Sequence, residues 1–151
     1  MIKVQLTKSI EIHAPRARVW NVLLQDEFTR IWYAEFGEGS QAETDWKAGS
    51  TIHFKDKSGN GLVSKVLDNR EFEVISIEHQ AVIINGREDF ESDDAKKWKG
   101  CRETYTLSEE RGVTTLHIEQ EMPEEYLESF PALWDNALAK IKELAENQAG
   151  A

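Results

Sequence analysis

The sequence predicts an α+β domain: one strand, two short helices, an antiparallel run of strands and a long terminal helix, with about seven strands in all. Three observations predict it. The N-terminus alternates apolar and polar residues, the middle of the chain is punctuated by turn residues at hairpin spacing, and the C-terminus carries an apolar stripe at helical spacing.

At the start, Ile2, Val4, Leu6, Ile10 and Ile12 share one parity while Lys3, Gln5, Thr7, Ser9 and Glu11 share the other. That is a half-buried strand. Pro15 suits the first position of a helix, where its missing N–H would be unpaired anyway, and Val19, Trp20, Val22 and Leu23 then recur at three- and four-residue spacing. Asp26 is placed to cap a second short helix carrying Phe28, Ile31 and Trp32, which Gly37 and Gly39 end. From there to Met122, strands are expected over about 40–47, 50–56, 61–68, 71–80, 101–108 and 113–121. The intervening turns are Lys57 to Gly61, Asp68-Asn69 and Glu109 to Gly112, and Asn85-Gly86 suits a type I′ hairpin. Glu88 to Gly100 shows no clean period and reads as a long loop, a place where lids and binding segments occur. Leu127, Phe130, Trp134, Leu138, Ile141 and Leu144 or Ala145 predict a helix over about 130–147. Glu124, Glu125 and Glu128 lie near its start and Lys140 and Lys142 nearer its end, as the helix dipole prefers, while Pro131 can begin or kink it. No repeat or linker interrupts the chain, so 1–151 reads as one domain.

Composition limits the function. With 28 Asp+Glu against 18 Lys+Arg, the net charge of −10 disfavours nucleic acid and anionic membrane, whose phosphates need clustered basic residues. A hydrophobic content of 40% with five Trp and six Phe excludes disorder. No apolar run is long enough for a membrane span. The opening residues lack the apolar core of a secretory signal, and the lone Cys101 cannot form an internal disulfide, so a reducing, cytoplasmic compartment is expected.

Candidate chemistry is sparse. His13, His53, His79 and His117 fall on separate elements without metal-type spacing and read as ordinary surface or core residues, so no metal is expected. No phosphate loop, nucleophile elbow or dinucleotide fingerprint is present, and no cofactor is expected. Cys101 has no activating neighbour in sequence and reads as a small core residue. Glu103 is different. It shares strand parity with Tyr105 and Leu107, so if Leu107 faces the terminal helix, a carboxylate lines the inner face and needs a partner or a raised pKa. The competing reading leaves Glu103 in water at the sheet end or paired with Arg102 or Arg87. Trp98, flanked by Lys96, Lys97 and Lys99, either caps a cavity mouth while the lysines meet an anionic head group, or packs its loop on the sheet edge with the lysines solvated, and the packing reading is favoured.

The motifs add a resemblance. Ile12-His13-Ala14-Pro15 with Val19-Trp20, and Phe28 followed by Trp32-Tyr33, resemble the opening of the START-like superfamily. Trp46-Lys47-x-Gly49-Ser50, Gly61-x-Val63, the run from Trp98 and Gly100 through Glu103, Tyr105 and Leu107, and the ending Trp134, Leu138, Ile141-Lys142 and Leu144 resemble its branch named for activators of the heat-shock protein ninety ATPase. The resemblance implies the helix-grip fold, a curved antiparallel sheet wrapped around the last helix. It also implies a small hydrophobic or amphipathic ligand between sheet and helix, as in lipid carriers, polyketide cyclases and antibiotic self-resistance proteins. The cavity candidates are then Trp32, Phe54, Trp98, Glu103, Tyr105, Leu107, Phe130, Trp134, Leu138 and Ile141. Such a function calls for a cavity of roughly 300 Å³ or more. Two alternatives stand beside it: a protein-interaction module that docks a chaperone, and a cyclase or hydrolase using Glu103 or Tyr105 as acid or base. A monomer or weak homodimer is expected.

Overall fold

The computed structural model describes residues 3–147, so Ile2 of the first strand pattern lies outside the described residues. In chain order the elements are β1 (Lys3–Ile12), α1 (Arg16–Leu24), α2 (Asp26–Trp32), a 3-10 turn (Tyr33–Glu35), β2 (Gln41–Glu43), β3 (Thr51–Lys55), β4 (Gly61–Arg70) and β5 (Val74–Ile84). There follow β6 (Arg87–Asp89), α3 (Asp93–Trp98), β7 (Arg102–Glu110), β8 (Val113–Pro123), a second 3-10 turn (Glu124–Tyr126) and α4 (Phe130–Glu146). One antiparallel sheet runs β1-β8-β7-β5-β4-β3-β2, with β6 also paired to β5. This is the α+β helix-grip architecture.

The core lies between the sheet and the helices. Trp134, Ala137, Leu138, Ile141 and Ala145 of α4 pack with Val19, Val22 and Leu23 of α1, and with Ile75, Ile77, Tyr105, Leu107, Leu116 and Ile118 of the sheet. The alternation in β1 holds through its exposure pattern, ending at the fully buried Ile12. Lys8 falls on the inward parity and reaches Asp135 of α4 at 2.7 Å. Arg18 donates to the Leu144 carbonyl at 2.9 Å while its guanidinium lies over the Phe28 ring, tying α1 to the end of α4.

Four expectations change. The strand expected over 40–47 stops at Glu43, because Thr44 Oγ1 accepts the Trp46 N–H and Asp45 Oδ1 accepts the Lys47 N–H, and Trp46 itself takes φ 61°. The turn expected at Asp68-Asn69 falls instead at 71–73, with Phe72 at φ 68°, so those two residues pair within β4 and β5 begins at Val74 rather than 71 and runs on to Ile84. The segment expected as a loop contains β6 and α3, and α3 is capped by Ser92, whose hydroxyl accepts the Ala95 N–H at 3.1 Å. Asp26 does not cap α2. It is that helix's first residue after an N-cap at Gln25, and its carboxylate holds Arg30 instead.

Candidate functional site

Between the sheet, α3 and the start of α4 lies a partly open cavity of about 230 Å³. Its wall is mainly aromatic, and each ring comes from a different local rule. Phe130 and Trp134 are one helical turn apart on α4. Trp32 ends α2 with its indole N–H held by the Val22 carbonyl at 2.9 Å, and Tyr33 and Phe36 follow from the 3-10 turn. Phe54 comes from β3, Trp98 from α3 and Tyr105 from β7. The rings meet edge-on: Phe36 with Trp134 at 4.9 Å, Tyr105 with Trp134 at 5.9 Å and Tyr33 with Phe54 at 5.9 Å between centroids.

One wall is polar. Glu103 stands opposite Ile77 of β5 and Gln120 of β8, and its side chain is only 12% exposed. His79 Nε2 lies 3.2 Å from Glu103 Oε1, the Tyr105 hydroxyl donates to Oε2 at 2.5 Å, and Ser64 Oγ lies 2.7 Å from His79 Nδ1. Gln120 accepts the Trp134 indole N–H at 2.5 Å. Burial first, and the Glu103 charge second, push the Tyr105 and Tyr33 phenols well above their ordinary range, so both stay protonated donors. A second void of about 40 Å³, room for one water, shares Trp32, Tyr33, Phe54, Glu103 and Tyr105 with the main cavity.

A bulge makes this wall possible. Ser64 pairs with His79 while Val63 pairs with Ala81, so Gln80 is an extra residue on β5. His79 keeps the inward parity of Ile75 and Ile77, and beyond the bulge Val82 takes over, packing with Trp98 and Cys101.

Serine, histidine and glutamate in hydrogen-bonded sequence resemble a hydrolase triad in composition, but not in placement. Ser64 is 1% exposed and lies outside the cavity wall, so its hydroxyl serves the imidazole rather than a ligand. Among the described residues, no three His, Cys, Asp or Glu side chains are grouped to hold a metal ion.

Of the residues singled out in the sequence, Trp32, Phe54, Trp98, Glu103, Tyr105, Phe130 and Trp134 line the cavity. Leu107, Leu138 and Ile141 are buried in the adjoining core and do not line it. Glu103 pairs with neither Arg102, which meets Glu78, nor Arg87. Trp98 lines the cavity, packs against Tyr126 and Phe130 and stands edge-on to His79 at 5.5 Å. The flanking lysines do not line the cavity, and Lys97 is held by Glu125 at 2.9 Å. Sequence reasoning missed Tyr33, Phe36, His79 and Gln120. His79 and Gln120 carried a signal: each is a polar residue on the apolar parity of its strand, after Ile75 and Ile77 and after Leu116 and Ile118.

Fold and cavity together define a START-like domain, with an aromatic hollow between a gripping sheet and its helix. The chain belongs to the family "Activator of Hsp90 ATPase homolog 1-like protein", whose profile matches residues 13–146. Solved structures share the fold. The Mesorhizobium loti protein MLL2253 superposes with TM-score 0.76 at 15% identity over 96% of this chain and 98% of that one. The Aha1 dimer of Colwellia psychrerythraea gives 0.67 at 18% identity, over 95% and 97%. CalU16 of Micromonospora echinospora gives 0.68 at 16%, over 95% of this chain and 66% of that one. Among curated proteins none matches the sequence. No described helix is long and apolar enough to cross a membrane.

Proposed function

We propose that this chain, acting as one domain, binds a small apolar or amphipathic molecule in the cavity between the sheet and α4. The observation that carries the reading is the aromatic hollow of about 230 Å³ with its polar groups confined to one wall. Burial among rings supplies affinity, and a few fixed polar groups supply orientation. The volume is what liquid water gives to about eight molecules, and it falls short of the roughly 300 Å³ expected of a carrier of lipids or polyketides. A single ring or a short chain is therefore the size of ligand favoured. The unpaired, buried Cys101 supports a reducing compartment such as the cytoplasm.

Amide NMR titration with toluene or indole tests this reading. Shifts should cluster around Phe36, Phe54, Trp98, Phe130 and Trp134, and they should vanish in Leu62→Trp, which fills the cavity from β4. Saturating indole without shifts at those residues would refute the proposal.

A further inference from the structure

The polar wall is built around one carboxylate. Glu103 is a largely buried carboxylate, 12% exposed, whose one ion-pair contact among the described residues is a histidine; no Lys or Arg among them reaches it. Because a carboxylate only accepts, the His79 ring donates its Nε2–H to Glu103 Oε1, while its Nδ1 meets the Ser64 hydroxyl. The second donor, the Tyr105 hydroxyl, is neutral. A carboxylate offers about four acceptor positions, and these two donors occupy one on each oxygen. Acceptor capacity on both oxygens therefore remains for a ligand.

The surroundings select the sign of that ligand. The rings nearest the network are Trp98 and Phe54, each T-shaped to His79, and Trp134, T-shaped to Tyr105. Aromatic faces attract cations, most strongly where water is excluded. The chain's net charge of −10 draws cations toward the cavity and repels anions. Asp56 at the wall adds a negative group, against the single cation Lys55.

We propose that the cavity takes a small primary amine, with its ammonium on the Glu103 carboxylate and its apolar body among Phe54, Trp98, Phe130 and Trp134. The proposal rests on the cavity-binding reading above and adds the ligand's charge. An ammonium supplies charge-assisted N–H donors to the acceptor positions left on Glu103, which no Lys or Arg among the described residues fills, whereas a carboxylate in the same place would meet Glu103 head-on. The cavity volume limits the body to one ring or a few carbons.

Three probes of one shape test this on the full chain: phenethylamine, phenethyl alcohol and hydrocinnamate, each titrated by amide NMR at neutral pH. The amine should bind roughly tenfold or more tighter than the alcohol, from the gain of a charge-assisted bond, and hydrocinnamate should bind weakest. In Glu103→Gln the amine should lose its advantage over the alcohol. If that variant does not fold, the wild-type series decides alone. An alcohol that equals the amine, or an amine preference that survives Glu103→Gln, overturns the proposal while leaving the cavity reading in place. If none of the three shifts the cavity residues, both fall.

Discussion

At the level of single residues, burial decides chemistry. Cys101 is fully buried, and desolvation pushes its thiol from 9.0 up to about 11. The neutral thiol is the form the fold prefers. The associated stability is therefore fully present below about pH 9 and is lost as pH climbs from 9 toward 11. Iodoacetamide at pH near 8 should label native protein far more slowly than urea-unfolded protein; equal rates would contradict this burial. His79 is 1% exposed and serves both Ser64 and Glu103. His79→Phe keeps a ring of similar shape but strips both neighbours of a partner, so urea unfolding should show a loss of about 1–3 kcal/mol. An unchanged midpoint would mean that the two hydrogen bonds of His79 add nothing to stability.

At the level of elements, close approach shapes the cavity rim. A Cβ on Gly61 would stand 1.7 Å from the carbonyl oxygen of Phe54, so only glycine lets β4 begin against β3 there. Gly61→Ala should force the strands apart beside the Phe54 ring and lower stability by about 2 kcal/mol or more, read by thermal unfolding. A variant as stable as the parent would show that this edge yields easily. The same scale explains what could be read beforehand. β1 and α4 were legible because each buries one face, and Val4, Leu6, Ile10 and Ile12, or Trp134, Leu138 and Ile141, repeat with the period of that face. Asn85-Gly86 was legible because both residues take positive φ, 52° and 80°, as the I′ turn requires. α3 spans six residues, too few to display a helical period, and only its Ser92 cap announced it. The overlong β2 reflects side chains at Thr44 and Asp45 that compete with the ladder for backbone N–H groups.

At the level of the molecule, the site is assembled from elements far apart in sequence, and this set the limit on reading it. Glu103 and Tyr105 share one strand and could be matched by parity alone. Their placement with His79 and Gln120 depends on the β5-β7 and β7-β8 registers, and that of Ser64 on the Gln80 bulge. The two-residue Arg111-Gly112 turn fixes the β7-β8 register locally, whereas the β5-β7 register follows from which faces the whole sheet buries. The aromatic wall has the same origin, with rings from α2, β3, α3, β7 and α4 brought to one hollow. An apolar cavity of about 150 Å³ suffices to hold a benzene ring, so this larger one should take a halogenated benzene. Anomalous diffraction from crystals soaked in bromobenzene tests the central claim most directly. A bromine peak inside the ring of Phe36, Phe54, Trp98, Phe130 and Trp134 is the predicted result. Bromine found only at the molecular surface, with ordered water alone in the cavity, would contradict it.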